Sequence, residues 1–462
     1  MAGIGFVLNK LFRKNDLTGV LQAYFHAVLS TSGPWLFTVF ALGTIYALTR
    51  GWAYFGFVDE FRVINLYNFC FSLVFSAPIT VVGTRFLADR VFEQNLRPAS
   101  GMFFGALFLV FTIVTPFVIP FYFLWTTLPT SLCLMACIEF YLVTALWVCT
   151  IFISTLKFFR AVSLIFLVGM LISIVMSLAF GYTHTTLGIL FGFSIGLVFI
   201  LGGLIGIFYQ DYPKSFSKPF AFLSYFKKHW ELALGGLFYG LGIWVDKWVM
   251  WFSPEAVWIP SGFLLYPYYD SAMFVAYMTV IPAMATFMLS QETSFYLMYV
   301  KFYRDIQEHA NYTQIMENHK ALQNSILNHG RKLIILQVCI CTIAILMAPF
   351  LFKFIGMNFI QLGMFRYGVL GASFHVLALL TLIILSYFED RRGVLYIQAY
   401  FFLSNGIFTY YFMNLGFAFY GYGYFLSALT TFMFTAIELH RYVRLLPYHT
   451  FITTNASVIS RA

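Results

Sequence analysis

The chain has 462 residues, 61% of them hydrophobic and 10% charged, with a mean hydropathy of +0.83. A soluble domain carries about 25% charged residues, so these values exclude a soluble globular protein and describe a polytopic membrane protein. The net charge of +9 is then a matter of which side of the membrane holds the Lys and Arg, and it does not argue for a nucleic-acid partner.

In residues 1–19, Val7, Leu8, Leu11 and Phe12 sit at helical spacing beside Lys10, Arg13 and Lys14, the pattern of an amphipathic interfacial segment. The basic N-terminus leads into a long span with no small-residue cleavage pattern, so a cleavable signal is not expected. The first span covers about 20–48 and holds His26 and then Ser32-Gly33-Pro34-Trp35. Proline in mid-helix lacks an N–H and clashes with the preceding turn, so Gly33 and Pro34 predict a kink or break.

Further spans are predicted near 63–84, 101–126, 131–155, 161–181 and 185–208. Residues 209–229, with Pro213, Lys214, Lys218, Pro219, Lys227 and Lys228, read as a basic linker. Six more spans follow near 230–252, 269–290, 332–356, 367–388, 393–414 and 417–440. Each is long enough to cross roughly 30 Å of hydrocarbon. The predicted fold is all-α, with about twelve transmembrane helices. An N-lobe covers 20–208 and a C-lobe covers 230–440. The C-lobe includes a cytoplasmic helical segment at 291–331, read as a continuation of the eighth span or as a docking surface. A cytoplasmic tail covers 441–462.

With the N-terminus in the cytoplasm, the inner segments hold 22 Lys and Arg and the outer segments four (Arg50, Arg62, Lys353, Arg366), leaving Lys247 inside a span. That bias places both termini inside. The six cysteines (Cys70, Cys133, Cys137, Cys149, Cys339, Cys341) fall in apolar runs and read as small core residues. No metal-ligand spacing, phosphate loop or nucleophile–base pattern stands out, so neither an enzyme nor an ATPase is expected.

The stretch Gly235–Phe252 carries Asp246 and Lys247 within an apolar run. Each charge costs roughly 2.5–3.5 kcal/mol at mid-helix on insertion scales, so both are candidates for a transport cavity. At about 100° per residue, Asp246 shares a face with Gly235, Tyr239 and Gly242, while Lys247 lies beside Trp244. The two charges are therefore expected not to face one another. Trp248 and Trp251 are expected in an outer aromatic belt. Glu139 is a second intramembrane acid. Asp270 opens the eighth span, as a vestibule residue or a helix cap. Asn65 and Asn68 could bond substrate hydroxyls. At the inner face Arg85, Asp89, Arg90, Glu292, Arg391 and Arg392 are candidates for a gate or partner contact.

Several motifs together resemble the PelG family of exopolysaccharide transporters. They are Met1-Ala-Gly-Ile-Gly-Phe6, Ser32-Gly-Pro-Trp35, Arg85-Phe-Leu-Ala-Asp-Arg90, Gly242-Ile-Trp-Val-Asp-Lys-Trp248, Tyr269-Asp270 and Tyr387-Phe-Glu-Asp-Arg-Arg392. The resemblance covers nearly the whole chain. It implies a member of the MATE/MurJ-like MOP flippase superfamily, with two six-helix lobes around a central cavity, in the bacterial inner membrane. The implied function is export of an N-acetylhexosamine-rich, Pel-type polysaccharide for biofilm matrix. The implied partners are the nascent polymer, a cytosolic glycosyltransferase and further membrane subunits of a synthase complex. No cofactor is implied, and coupling to protons or sodium is an open source of energy. The rival readings are an ion-coupled flippase or drug exporter of the same superfamily, and a non-transporting scaffold for the glycosyltransferase.

Overall fold

The computed structural model describes residues 17–49, 56–153, 159–182, 185–213, 216–290 and 294–453. The predicted interfacial segment before residue 17, Glu292 and the end of the tail lie outside these residues. The described chain is helical apart from one short hairpin. The first six long helices are α1 (Leu17–Thr49), α2 (Gly56–Phe92), α3 (Pro98–Pro120), α4 (Thr130–Ile153), α5 (Phe159–Gly181) and α6 (Thr186–Asp211). Next come a short α7 (Leu223–Lys228), α8 (Trp230–Met250), and strands β1 (Val257–Ile259) and β2 (Phe263–Leu265). The chain continues through α9 (Pro267–Tyr277), α10 (Ile281–Ser290), α11 (Tyr296–Gln307) and α12 (Tyr312–Ile355). It closes with α13 (Leu362–Tyr387), α14 (Arg391–Asn414) and α15 (Tyr422–Arg444).

Nine of the described helices are long and apolar enough to cross a membrane, with α9 and α10 counted as one span. Three more, α8, α14 and α15, have 21, 24 and 23 residues. They are of spanning length but more polar, and they complete the predicted set of twelve. Local chemistry sets several ends. Pro98 opens α3, where its missing N–H costs nothing. The Thr185 side chain caps α6 by accepting from Gly188 N at 3.1 Å. Gly356 ends α12 in the left-handed region, φ +77°, which only glycine adopts without strain. Five of the six cysteines are buried as expected, but Cys339 on α12 is exposed.

Two compact units form, Ser32–Pro267 and Met1–Thr31 with Tyr268–Ala462. This differs from the predicted division at 209–229. The seventh long helix, α8, packs on α2 and so belongs with the first-half helices. The linker is also held down on them. Ser217 Oγ donates to Arg97 O at 3.2 Å and Ser100 Oγ donates to Pro213 O. The carbonyls of Ser217 and Pro219 sit where Gly101 and Gly105 would carry a Cβ. The first boundary falls between Thr31 and Ser32, next to Gly33 and Pro34. There α1 continues through Pro34 as one helix, so of the predicted kink or break the break is absent.

In the Ser32–Pro267 unit α5 packs along α6. A Cβ on Gly192 would strike the backbone at Met176, and one on Gly196 would strike Ser173 Oγ and the Gly169 carbonyl. Small residues let helices approach where lipid gives no hydrophobic drive. Ser173 Oγ and Ser177 Oγ then donate to Phe193 O and Ile189 O, both at 3.0 Å. Gly196→Leu is expected to push α5 and α6 apart and to abolish the folded, monodisperse fraction in detergent, as read by fluorescence-detected size exclusion. At the N-terminal end of α2, Glu60 accepts from Thr186 Oγ1 at 2.9 Å and from Ser261 Oγ. It ties α2 to α6 and to the β1–β2 hairpin.

In the other unit the predicted extension of the eighth span is instead two helices. α11 stops at Gln307, and Asn311 caps α12 by accepting from Gln314 N at 2.8 Å. α12 runs 44 residues, from the polar segment before the ninth span into that span. Phe302, Ile315, Leu322, Leu385, Phe388 and Val443 join these helices to the C-terminal ends of α13 and α15 and the turn before α14 in one core. Tyr299 and Tyr442 donate to Tyr387 O and Phe388 O at 2.9 and 3.0 Å, clamping the turn before α14. Burial, then Asp390 nearby, pushes the Tyr442 hydroxyl up to about 12, and burial raises Tyr299 as well. Both stay neutral donors at physiological pH.

Candidate functional site

α8 meets α2 through small residues and then through rings. A Cβ on Gly236 would lie 2.9 Å from Val81 and 3.2 Å from the Ala77 carbonyl, so the helix depends on its absence. One turn on, Gly240 leaves ordinary contact with Val74 and Ala77. Towards the C-terminal end Trp248 stacks on Phe71 (5.4 Å, 8°) and Trp251 on Tyr67 (4.9 Å, 13°). The expected outer belt is corrected here, because both indoles pack on α2. The three-residue step of the tryptophans matches the four-residue step of Tyr67 and Phe71, each pair lying along one helix face.

The charges sit one turn inside these rings. Asp246 is fully buried and Lys247 nearly so. The expectation that they do not face one another is overturned: Lys247 Nζ lies 3.1 Å from both carboxylate oxygens of Asp246. It also donates to Ile243 O at 3.1 Å and stands 5.6 Å from the centre of the Trp244 ring. The wheel angle describes where Cβ atoms point, but the flexible lysine stem spans the difference. Out of water, Coulomb attraction at this distance outweighs the rotamer preference. Trp244 is half-buried, and its Nε1 has no hydrogen-bond partner among the described residues. Tyr239 lies two turns before Asp246 and is half-buried.

Glu139, on α4, is fully buried. Its Oε2 accepts from Asn68 Nδ2 at 2.7 Å, and the same nitrogen reaches Ala136 O at 3.1 Å. Asn68 Oδ1 in turn accepts from the Tyr122 hydroxyl at 2.6 Å. Glu139 Oε1 has no partner among the described residues. Asn65 turns to its own helix, donating to Phe61 O at 3.0 Å, and does not join these bonds. Asp270 stands in the first turn of α9, in the other unit, where a carboxylate favours the helix dipole.

At the C-terminal end of α2, Arg85 pairs with Asp89 at 3.4 Å and Arg90 with Glu93 at 2.7 Å. The Tyr225 hydroxyl on α7 donates to Asp89 at 3.0 Å, so these charges anchor the linker. Arg391 pairs with Glu389 of its own turn at 2.9 Å, beside Arg392. Among the described residues no group of three or more His, Cys, Asp and Glu is placed to hold a metal ion. Sequence reasoning missed Tyr122, Tyr67, Phe71 and Tyr225. For Tyr67 and Tyr122 the one signal is that a tyrosine within an apolar run needs a partner for its hydroxyl; Phe71 and Tyr225 carry no such signal.

A family model described as "PelG: Putative exopolysaccharide Exporter (EPS-E)" matches residues 1–451. The chain belongs to the PelG family. Solved MATE transporters share its fold. An outward-facing multidrug resistance MATE transporter of the MOP superfamily matches with a TM-score of 0.62 at 14% identity, over 91% of this chain and 96% of that one. An inward-facing form matches at 0.59 and 13%, over 90% and 98%. A MOP transporter from Pyrococcus furiosus, reported with a binding pocket of reversed polarity, matches at 0.58 and 12%, over 91% and 95%. No curated protein matches the sequence. The identities establish the fold alone. Family and fold together make this PelG-family chain a multi-pass membrane transporter.

Proposed function

We propose that the chain exports a Pel-type, N-acetylhexosamine-rich exopolysaccharide across the bacterial inner membrane, as the transport subunit of a synthase complex. The family match over residues 1–451 carries this reading. In it both termini face the cytoplasm, and Arg85, Asp89, Arg90, Arg391 and Arg392 contact the glycosyltransferase or gate the inner end. The Asp246–Lys247 pair supports it. The pair is electrically neutral as a unit yet offers a carboxylate and an ammonium for hydroxyls and acetamides once opened. Coupling to protons or sodium would act through a buried carboxyl, that of Asp246 or that of Glu139.

The test is a deletion in a polymer-producing bacterium, with polymer measured separately inside and outside the cell. Loss of external polymer, not restored by anchoring the glycosyltransferase to a foreign membrane span, is the expected result. Restoration by the anchor would make the chain a scaffold. A change in drug resistance with normal polymer would make it a drug exporter.

A further inference from the structure

A cavity of about 590 Å³ opens within the Tyr268–Ala462 unit, among α10, α12, α13 and α15. Its floor is apolar, formed by Phe287, Leu333, Leu377, Leu380, Ile384 and Phe432. His329, Arg331, His440 and Arg444 also line it, and none of its lining residues is acidic. Arg331 lies where α12 passes from its polar half into its apolar half, and Arg444 is the last residue of α15. Both are exposed, and neither has an ion-pair partner among the described residues. The neighbouring Arg441 turns instead to Glu438, 3.9 Å away.

This combination selects its ligand by chemistry. The volume suits a ligand rather than a few waters. Two amides, Gln323 and Asn324, also line the cavity, but most of its wall is leucine, isoleucine and phenylalanine, which offers a sugar chain few partners for its hydroxyls. Guanidinium groups recognise phosphate oxygens in matched pairs, and branched aliphatic side chains gain by covering an acyl chain. The cytoplasmic leaflet, on which the basic segments of this chain are expected to lie, is the anionic one. We propose that the cavity binds an anionic phospholipid, with its phosphate on Arg331 and Arg444 and one acyl chain over Leu380 and Ile384.

The test uses the delipidated full-length protein in detergent, titrated with dioleoyl phosphatidylglycerol or dioleoyl phosphatidylcholine and read by native mass spectrometry. Phosphatidylglycerol is expected to bind about tenfold more tightly than phosphatidylcholine. Arg331→Ala/Arg444→Ala is expected to remove that preference. Lys227→Ala/Lys228→Ala, which takes the same charge from the other unit, is expected to keep it. Ile384→Trp fills the floor and is expected to lower uptake of both lipids, with helix content unchanged by circular dichroism. Equal binding of the two lipids overturns the proposal, as does equal loss in the two double variants. A rise in phosphatidylglycerol affinity on removing residues 454–462 would make the chain's own tail the occupant, and overturns it too. The assay reads no polymer, so its outcome is separate from that of the export proposal.

Discussion

Lys247→Ala is expected to destabilise the Ser32–Pro267 unit by about 3–5 kcal/mol, because it takes the ammonium away from the fully buried Asp246 carboxylate. Asp246→Asn should cost less. Its amide oxygen still accepts from Lys247 Nζ, which also keeps the Ile243 carbonyl at 3.1 Å. The double change Asp246→Asn/Lys247→Met should recover most of the stability, since replacing a whole buried pair by uncharged groups of similar volume is often neutral. Thermal unfolding midpoints in detergent read this order. Export measured at matched membrane levels then separates structure from transport. A double variant that folds and still exports makes the pair a structural device and removes it from the transport path. A double variant that folds and fails to export makes the charges part of the path.

The same pair shows how far the sequence could be read. The intramembrane charges, the number of spans and the distribution of basic residues all follow from side-chain hydropathy and position, which is local information. The partner of each charge does not. Asp246 and Lys247 are adjacent, and a helical wheel treats adjacent residues as pointing apart. The ion pair depends instead on the reach of a four-carbon stem in a place with no competing water. Likewise, the basic stretch after α6 reads as a linker between halves. Gly101 and Gly105 make room for its carbonyls, and Tyr225 bonds Asp89, so it is fastened to α3 and α2. Those contacts join residues more than 100 positions apart, and no periodicity within a span encodes them. Trp248 and Trp251 were placed by the general habit of indoles at membrane interfaces. The rings of Phe71 and Tyr67, which hold them, come from a helix far away in sequence.

Asn68→Leu is expected to be the most damaging single change in the first-half helices outside the charge pair. It removes the donor to Glu139 Oε2 and the acceptor of the Tyr122 hydroxyl at once. With Oε1 already unpartnered, it would add two unsatisfied buried polar atoms at about 1–3 kcal/mol each. Glu139→Gln is expected to fold normally. Its carbonyl oxygen can take the bond from Asn68 and its amide can occupy the position of Oε1, so the variant removes the acid and keeps the shape. The two substitutions together assign the cluster. If Asn68→Leu is unstable and Glu139→Gln exports polymer at the wild-type rate, the carboxyl serves only to hold α4 against α2. If Glu139→Gln is stable and export falls by tenfold or more, the free oxygen is in use during transport. A buried carboxyl with one bonded oxygen and one idle oxygen would then be the place where a proton or sodium ion enters the cycle, and the dependence of export on external pH should disappear in Glu139→Gln while persisting in Asp246→Asn.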